Sequence, residues 1–139
     1  MNPQAFKTLE FNSLRELLQR WAQTKMGWAR IDALEPIDEL KQLQRVLCAT
    51  AECIELRRRG GRLSFDGIAD PADSISRLRI EGTALDPLAI LDLARLCEAA
   101  MGARTAILAE REACPTLFEI VGALPADLKN LVARLRKKI

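Results

Sequence analysis

Gly60-Gly61-Arg62-Leu63-Ser64-Phe65-Asp66-Gly67-Ile68-Ala69-Asp70-Pro71 interrupts a chain that otherwise reads as helix. Two consecutive glycines after Arg57-Arg58-Arg59 form a helix stop: cations in a last turn complement the helix dipole, and glycine just beyond accepts the left-handed backbone of the C-terminal cap. Asp70-Pro71 reads as the next start, an N-cap followed by proline at the first helical position. The stretch between is predicted to be loop with at most one short extended piece. It divides the chain into a front helical half and a back helical half that must pack on each other.

Working outward, the helix ahead of the glycines is predicted to run from about Asp38 to Arg59. Leu40, Leu43, Leu47 and Ile54 recur at helical spacing, widened by Val46, Cys53 and Leu56. About 22 residues at 1.5 Å each would extend about 33 Å. Before it, Leu14, Leu17, Leu18 and Trp21 share one face of a helix from Phe11 to Ala22. Thr24 then caps a second segment, Lys25 to Leu34, which ends where Pro36 pushes Glu35 out of helical backbone. Behind the glycines, a short helix runs to Ile80 and stops at Gly82. Asp86-Pro87 repeats the start signal and opens a long helix to Glu110, with Leu88, Leu91, Leu93, Ala94, Cys97, Ala100, Ile107 and Leu108 on its buried side. Cys114-Pro115 breaks it. Thr116 to Val121 is a short helix, and Ala126 to Lys138 a last one carrying Leu128, Leu131 and Leu135. The fold class is all-α: a multi-helix bundle with two long amphipathic helices and a glycine-containing loop between its halves.

Composition supports one domain of this kind. The 139 residues are 49% apolar but only 4% aromatic, with no Tyr, so the core must come from Leu, Ile and Ala, which suit helix packing. Charged residues are 29% with signs mixed, and the net charge is +2, too small to imply nucleic-acid binding by itself. Most apolar stripes are expected to be core, and any left uncovered would mark a contact with other domains or a second subunit. The chain stops at Ile139 within an amphipathic pattern, which predicts a helix that continues or a piece cut from a longer polypeptide.

The residue inventory excludes several chemistries. There is no histidine, so Ser-His and Cys-His nucleophilic machinery is ruled out. No G-x-x-x-x-G-K-[ST] phosphate loop occurs. Cys48, Cys53, Cys97 and Cys114 form no Cys-x-x-Cys pair. Cys48, Cys53 and Cys97 fall among apolar helix positions and read as buried, reduced thiols, favouring an intracellular, cytoplasmic protein. Asp66, Asp70 and Asp73 lack the spacing of a calcium loop, so no metal site is assigned. No apolar run is long enough to span a bilayer, and Met1 to Lys7 lacks the layout of a secretory signal, so no membrane partner is expected. Two basic clusters remain. One is Arg57, Arg58, Arg59 and Arg62, joined in space on this reading by Arg77 and Arg79. The other is Arg134, Arg136, Lys137 and Lys138. Either they are solvated helix ends that stabilise their own dipoles, or they contact phosphates and bind nucleic acid without reading sequence. No interleaved aromatics are apparent that would stack on single-stranded bases.

One ordered series of residues points further. Thr8-Leu9-Glu10-Phe11 ahead of a Leu-rich helix is followed by Thr24 to Gly27 and Leu34-Glu35-Pro36. Then come Thr50-Ala51-Glu52, Gly60-Gly61, Phe65-Asp66-Gly67-Ile68-Ala69-Asp70, Arg77-Leu78-Arg79-Ile80-Glu81-Gly82 and Leu85 to Leu91. In order and spacing this resembles the opening of the MutS-II branch of the bacterial MutS-like proteins, with Pro115-Thr116-Leu117 and the terminal Leu128 to Ile139 helix fitting more loosely. Asp70-Pro71 departs from the family's usual aspartate and aliphatic residue, and Glu81-Gly82-Thr83 from its double glycine. The resemblance implies that residues 1–139 are a single helical N-terminal domain of core and lever type. It implies a homodimeric full-length protein with a MutS-type ATPase domain using ATP and magnesium, an Smr nuclease domain in many members, and branched DNA or the stalled ribosome and its RNA as partner. The ATP and nuclease sites would lie in segments absent here. No catalytic or cofactor-binding residue is therefore carried over, and the partners of this region would be the remaining domains of its own chain. Two other readings of the residues stand beside it: a free-standing helical adaptor that binds a protein through apolar helix faces, and a direct nucleic-acid module using the two basic clusters.

Overall fold

A computed structural model describes residues 10–137. Seven helices form among the described residues: α1 (Phe11–Gln19), α2 (Lys25–Asp32), α3 (Leu40–Arg58), α4 (Ala72–Leu78), α5 (Pro87–Ala109), α6 (Pro115–Gly122) and α7 (Leu128–Arg136). No strand occurs among these residues, and the loop after Gly60 is irregular throughout. The all-α expectation holds. The expected helices are all present; most ends are drawn in by one to three residues, and the helix expected over Thr116 to Val121 is one residue longer at each end. The part of the terminal helix expected at Lys138, and Thr8-Leu9 of the family-like series, lie outside the described residues.

The punctuation follows local chemistry. Thr24 accepts a hydrogen bond from the Gly27 N–H at 2.9 Å, and Asp86 accepts one from the Ala89 N–H at 2.9 Å with Pro87 opening α5. Asp70 accepts from the Ala72 N–H at 3.0 Å, but α4 begins at Ala72, so Pro71 sits at the cap rather than inside the helix. At the end of α3, Gly60 takes φ +88°. The Gly60 N–H donates to the Arg57 carbonyl at 3.1 Å and the Gly61 N–H to the Leu56 carbonyl at 2.9 Å. These are the paired bonds of a Schellman stop. A Cβ on Gly61 would stand 2.5 Å from Leu56 Cδ1 and 2.9 Å from its carbonyl oxygen, so the loop leaves the helix by grazing the side chain that α3 buries deepest.

That side chain anchors the core. Leu56, with no exposed surface, meets Ile107 of α5, Cys114, and Leu117 and Val121 of α6, with Ala49, Cys53, Leu63, Ala113 and Leu124 packed around them. The front and back halves are joined here by a polar clamp as well. The Glu52 carboxylate accepts the Thr116 N–H at 3.0 Å and the Leu117 N–H at 2.8 Å, capping α6 from a helix more than sixty residues away. Desolvation of Glu52 works against its charged form. Hydrogen bonds from the Thr116 side chain and from the Leu117 and Thr116 backbone outweigh it and hold the carboxyl below its ordinary value of 4.5. A second contact runs between α5 and α7, which lie antiparallel. Arg136 reaches Glu98 at 2.7 Å, and Arg104 donates to the Leu124 and Pro125 carbonyls at 3.5 Å. Val132, with Leu128 and Leu135 beside it, is the buried centre of α7, while Leu131 is exposed.

Much apolar surface is left bare. The expectation that the apolar stripes are mostly core is corrected along several helices, Trp28, Leu34 and Val46 being exposed too. Leu14, Leu17, Leu18 and Trp21 are exposed, because α1 and α2 bury no side chain completely and are fastened to each other largely by polar contacts. Arg15 donates to the Asp32 carbonyl oxygen and to Asn12, and Gln19 donates to Asp32 Oδ1 at 3.2 Å. Leu40, Leu47 and Ile54, 66%, 58% and 58% exposed, repeat every seven residues on the side of α3 opposite Ala49, Cys53 and Leu56. Leu88 and Leu108 of α5 are exposed at the two ends of a helix that is apolar nearly all round. Cys48 is exposed, in line with Lys41 and Glu55 on the polar flank between the two apolar sides of α3. Cys53 and Cys97 are half-buried, Cys114 is buried, and all four are free thiols.

Three outcomes test this architecture. Gly61→Ala should lower unfolding stability by about 2 kcal/mol through overpacking against Leu56, whereas Gly60→Ala should cost about 1 kcal/mol through its left-handed backbone; urea melts separate the two. Glu52→Gln should cost about 1–2 kcal/mol at neutral pH, as expected for a charge-assisted hydrogen bond. Because the folded carboxyl has the lower pKa, this contribution is full above the ordinary value of 4.5 and is lost as pH falls through the folded value. The gap between wild type and Glu52→Gln should therefore narrow below about pH 4.5, as followed by circular dichroism melts. Finally, the triple substitution Leu40→Gln, Leu47→Gln, Ile54→Gln should reduce binding of a hydrophobic fluorescent dye with a stability change within about 1 kcal/mol, whereas Leu56→Ala should cost about 2–5 kcal/mol.

Candidate nucleic-acid interface

The first basic cluster divides once it is folded. Arg59 is held by Glu55 at 2.8 Å and by Glu110 at 3.2 Å, and Arg58 reaches Glu55 at 3.5 Å. The hydrogen bond from Glu55, then that from Glu110, raises the Arg59 pKa above its ordinary value, and the Arg59 hydrogen bond in turn holds Glu55 low. These two arginines are ion-paired at the helix end. Arg57 and Arg62 are different. Both are exposed, and neither makes an ion pair or side-chain hydrogen bond among the described residues.

Arg57 and Arg62 line one groove of about 600 Å³ together with Trp21, Gln23, Leu63 and Ser64. Three separate elements build it. The turn after α1 supplies Trp21, whose N–H donates to the Leu18 carbonyl at 3.0 Å. Gln23 stands with Trp21, the last turns of α3 supply Cys53 and Arg57, and the glycine loop supplies Gly61, Arg62, Leu63 and Ser64. Gln23 fastens the first wall to the third by accepting the Phe65 N–H at 3.3 Å. The indole of Trp21 is 82% exposed. No carboxylate lines the groove. Cys53 at its edge is kept protonated, first by burial and then by the nearby Glu52 charge. The groove thus offers an aromatic face and two uncompensated guanidiniums, and no nucleophile.

Arg77 and Arg79 do not extend this surface. Arg77 donates to the Ala84 carbonyl at 3.3 Å and pairs with Asp86 at 3.8 Å, closing the loop into α5, and neither residue lines the groove. In the second cluster Arg136 is engaged by Glu98. Arg134 and Lys137 are exposed without an ion pair among the described residues, and Lys138 lies outside them. Sequence reasoning found the arginines but missed Trp21, which it placed in a buried helix face. The available signal was position: Trp21 follows Arg20 in the turn ahead of Thr24, beyond the last residue of α1.

The sequence is similar to that of the MutS2 endonucleases. It is 31% identical to endonuclease MutS2 of Clostridium beijerinckii over 99 residues, 71% of this chain and 12% of that protein. It is 34% identical to endonuclease MutS2 of Geobacillus kaustophilus over 94 residues, 68% of this chain and 12% of that protein, and 29% identical to that of Exiguobacterium sibiricum over 94 residues. The chain therefore matches about one eighth of the length of these relatives. No family model matches the chain, and no solved structure matches it. Among the described residues no helix is long and apolar enough to cross a membrane.

Proposed function

Because this chain carries a MutS-like N-terminal region, we propose that it is the structural, non-catalytic first domain of a MutS-like ATPase, coupling nucleotide state elsewhere in the assembly to engagement of branched DNA or of a stalled ribosome. The observation that carries this reading is the bare apolar surface. Leu40, Leu47 and Ile54 form a seven-residue seam on α3, and Leu14, Leu17 and Leu18 a stripe on α1. Such seams are the surfaces that neighbouring helices cover. On this reading the ATP and magnesium sites and any nuclease centre lie in other domains, the protein acts in the cytoplasm as a homodimer, and this domain moves as a rigid helical body. The unpaired cations Arg57, Arg62, Arg134 and Lys137 are its contacts to phosphate, while Arg58, Arg59 and Arg136 hold the helices in place. The same exposed seam would serve a free-standing adaptor, whose partner would then be another protein's amphipathic helix.

A chimaera separates these readings. In endonuclease MutS2 of Geobacillus kaustophilus, this chain replaces the matched stretch. ATP hydrolysis and its response to branched DNA are then measured with and without Leu47→Glu and Ile54→Glu. The domain role predicts that the unmodified chimaera hydrolyses ATP in a DNA-responsive manner and that the charged seam abolishes the response. Hydrolysis indifferent to the seam overturns coupling. ATP turnover or strand cleavage by the purified 139-residue chain overturns the non-catalytic assignment.

A further inference from the structure

The groove at the junction of α1, α3 and the glycine loop combines an exposed aromatic side chain with unpaired cations. Trp21 presents a large apolar face to water in a turn, and Arg57 and Arg62 flank it without a carboxylate among the lining residues. The two neighbouring arginines on the same helix end are neutralised by Glu55 and Glu110, so the unbalanced charge at this helix end falls on the groove. Gln23 uses its carbonyl oxygen on the Phe65 N–H, leaving its amide donors free, and Ser64 also lines the groove. The volume, about 600 Å³, is in the range of small-ligand clefts. An indole face, two guanidiniums and uncharged hydrogen-bond donors together match an unstacked nucleobase with its flanking phosphates.

We infer that this groove binds single-stranded nucleic acid, with one unpaired base stacked on Trp21 and the adjoining phosphates on Arg57 and Arg62. The inference rests on nucleic acid being the ligand of the proposed machine, and it gives the first domain a direct part in selecting strands whose bases are free. Duplex, whose bases are stacked inward, would reach the arginines but not the indole.

The test is a low-salt titration of the 139-residue chain with short oligo(dT), oligo(rU) and a duplex of equal length, following tryptophan emission and the anisotropy of labelled strands. The single strands should quench the emission, the duplex should not, and Trp28→Phe should leave the quenching intact. Trp21→Ala should weaken single-strand binding about tenfold, the order set by one stacked base. Arg57→Gln with Arg62→Gln should reduce the slope of log affinity against log salt by about 1.4, two phosphate contacts on a single strand, and Arg58→Gln should not change it. A preference between oligo(dT) and oligo(rU) assigns the sugar. Unchanged affinity in Trp21→Ala overturns the inference, as does equal quenching by duplex or an unaltered salt slope in the double arginine variant. Should Trp21→Ala lose its helical circular dichroism, the salt slope decides alone. Emission that shifts with protein concentration and not with oligonucleotide would make Trp21 a protein contact, and this too overturns it. The chimaera can fail while this titration succeeds, and the reverse, so the domain role and the groove stand or fall separately.

Discussion

The Glu52 carboxylate sets the register of the back half against the front. Residues 60–86 contribute only the seven-residue helix α4, and they cannot by themselves hold α3 against α6. Burial of Leu56 brings the two together but has no direction, since apolar contact tolerates rotation and sliding. The two N–H groups at the start of α6 point one way, and a carboxylate can satisfy both from one position only. The pair of interactions is therefore complementary: Leu56 supplies attraction and Glu52 supplies register. The Schellman turn one residue beyond α3 then fixes where the loop departs, with Gly61 packed on the same leucine.

The molecule built on this joint is unequal in its firmness. The Leu56 core and the ion-paired α5–α7 contact make one packed body out of α3, α5, α6 and α7. The α1–α2 hairpin has no buried side chain and leans on this body through a bond such as Gln23 to Phe65. The candidate groove lies across that boundary, with Trp21 on the hairpin and Arg57 on the packed body. Its width is consequently set by the weakest seam in the structure, and a ligand that touches both walls would draw the hairpin and the body together.

Local signals in the sequence were informative at most turns, with Asp70-Pro71 misplaced by one residue. Thr24, Asp86-Pro87 and Gly60 each do what their residue types require, because a cap or a left-handed glycine is decided within four or five positions. The periodicity of Leu40, Leu47 and Ile54 was equally visible, yet it gave the wrong burial. A repeating apolar face states that a partner is needed and carries no information on whether the partner belongs to the same 139 residues. The Glu52 cap was out of reach for a related reason: its acceptor and donors are separated by more than sixty residues, and nothing in Thr50-Ala51-Glu52 distinguishes it from an ordinary helix surface. Arg57 and Arg59 were read as equals because they are two residues apart in sequence. On a helix that spacing turns them to different sides, one toward Glu110 and one toward Trp21.

The two apolar sides of α3 bear on how such a domain could transmit motion. Ala49, Cys53 and Leu56 commit one side to the internal core, and Leu40, Leu47 and Ile54 offer the other to something outside it. A helix of 19 residues gripped on both sides cannot bend freely or rotate about its axis without breaking one contact, so displacement of a helix on the outer side must move the inner body with it. The C-terminal end of the same helix carries Glu52, Arg57 and the turn into the loop. A shift applied along Leu40, Leu47 and Ile54 therefore arrives at the α6 cap and at the groove together. The Glu52 cap and the Schellman stop tie the last turns of α3 to α6 and to the glycine loop, which is where such a movement would be delivered.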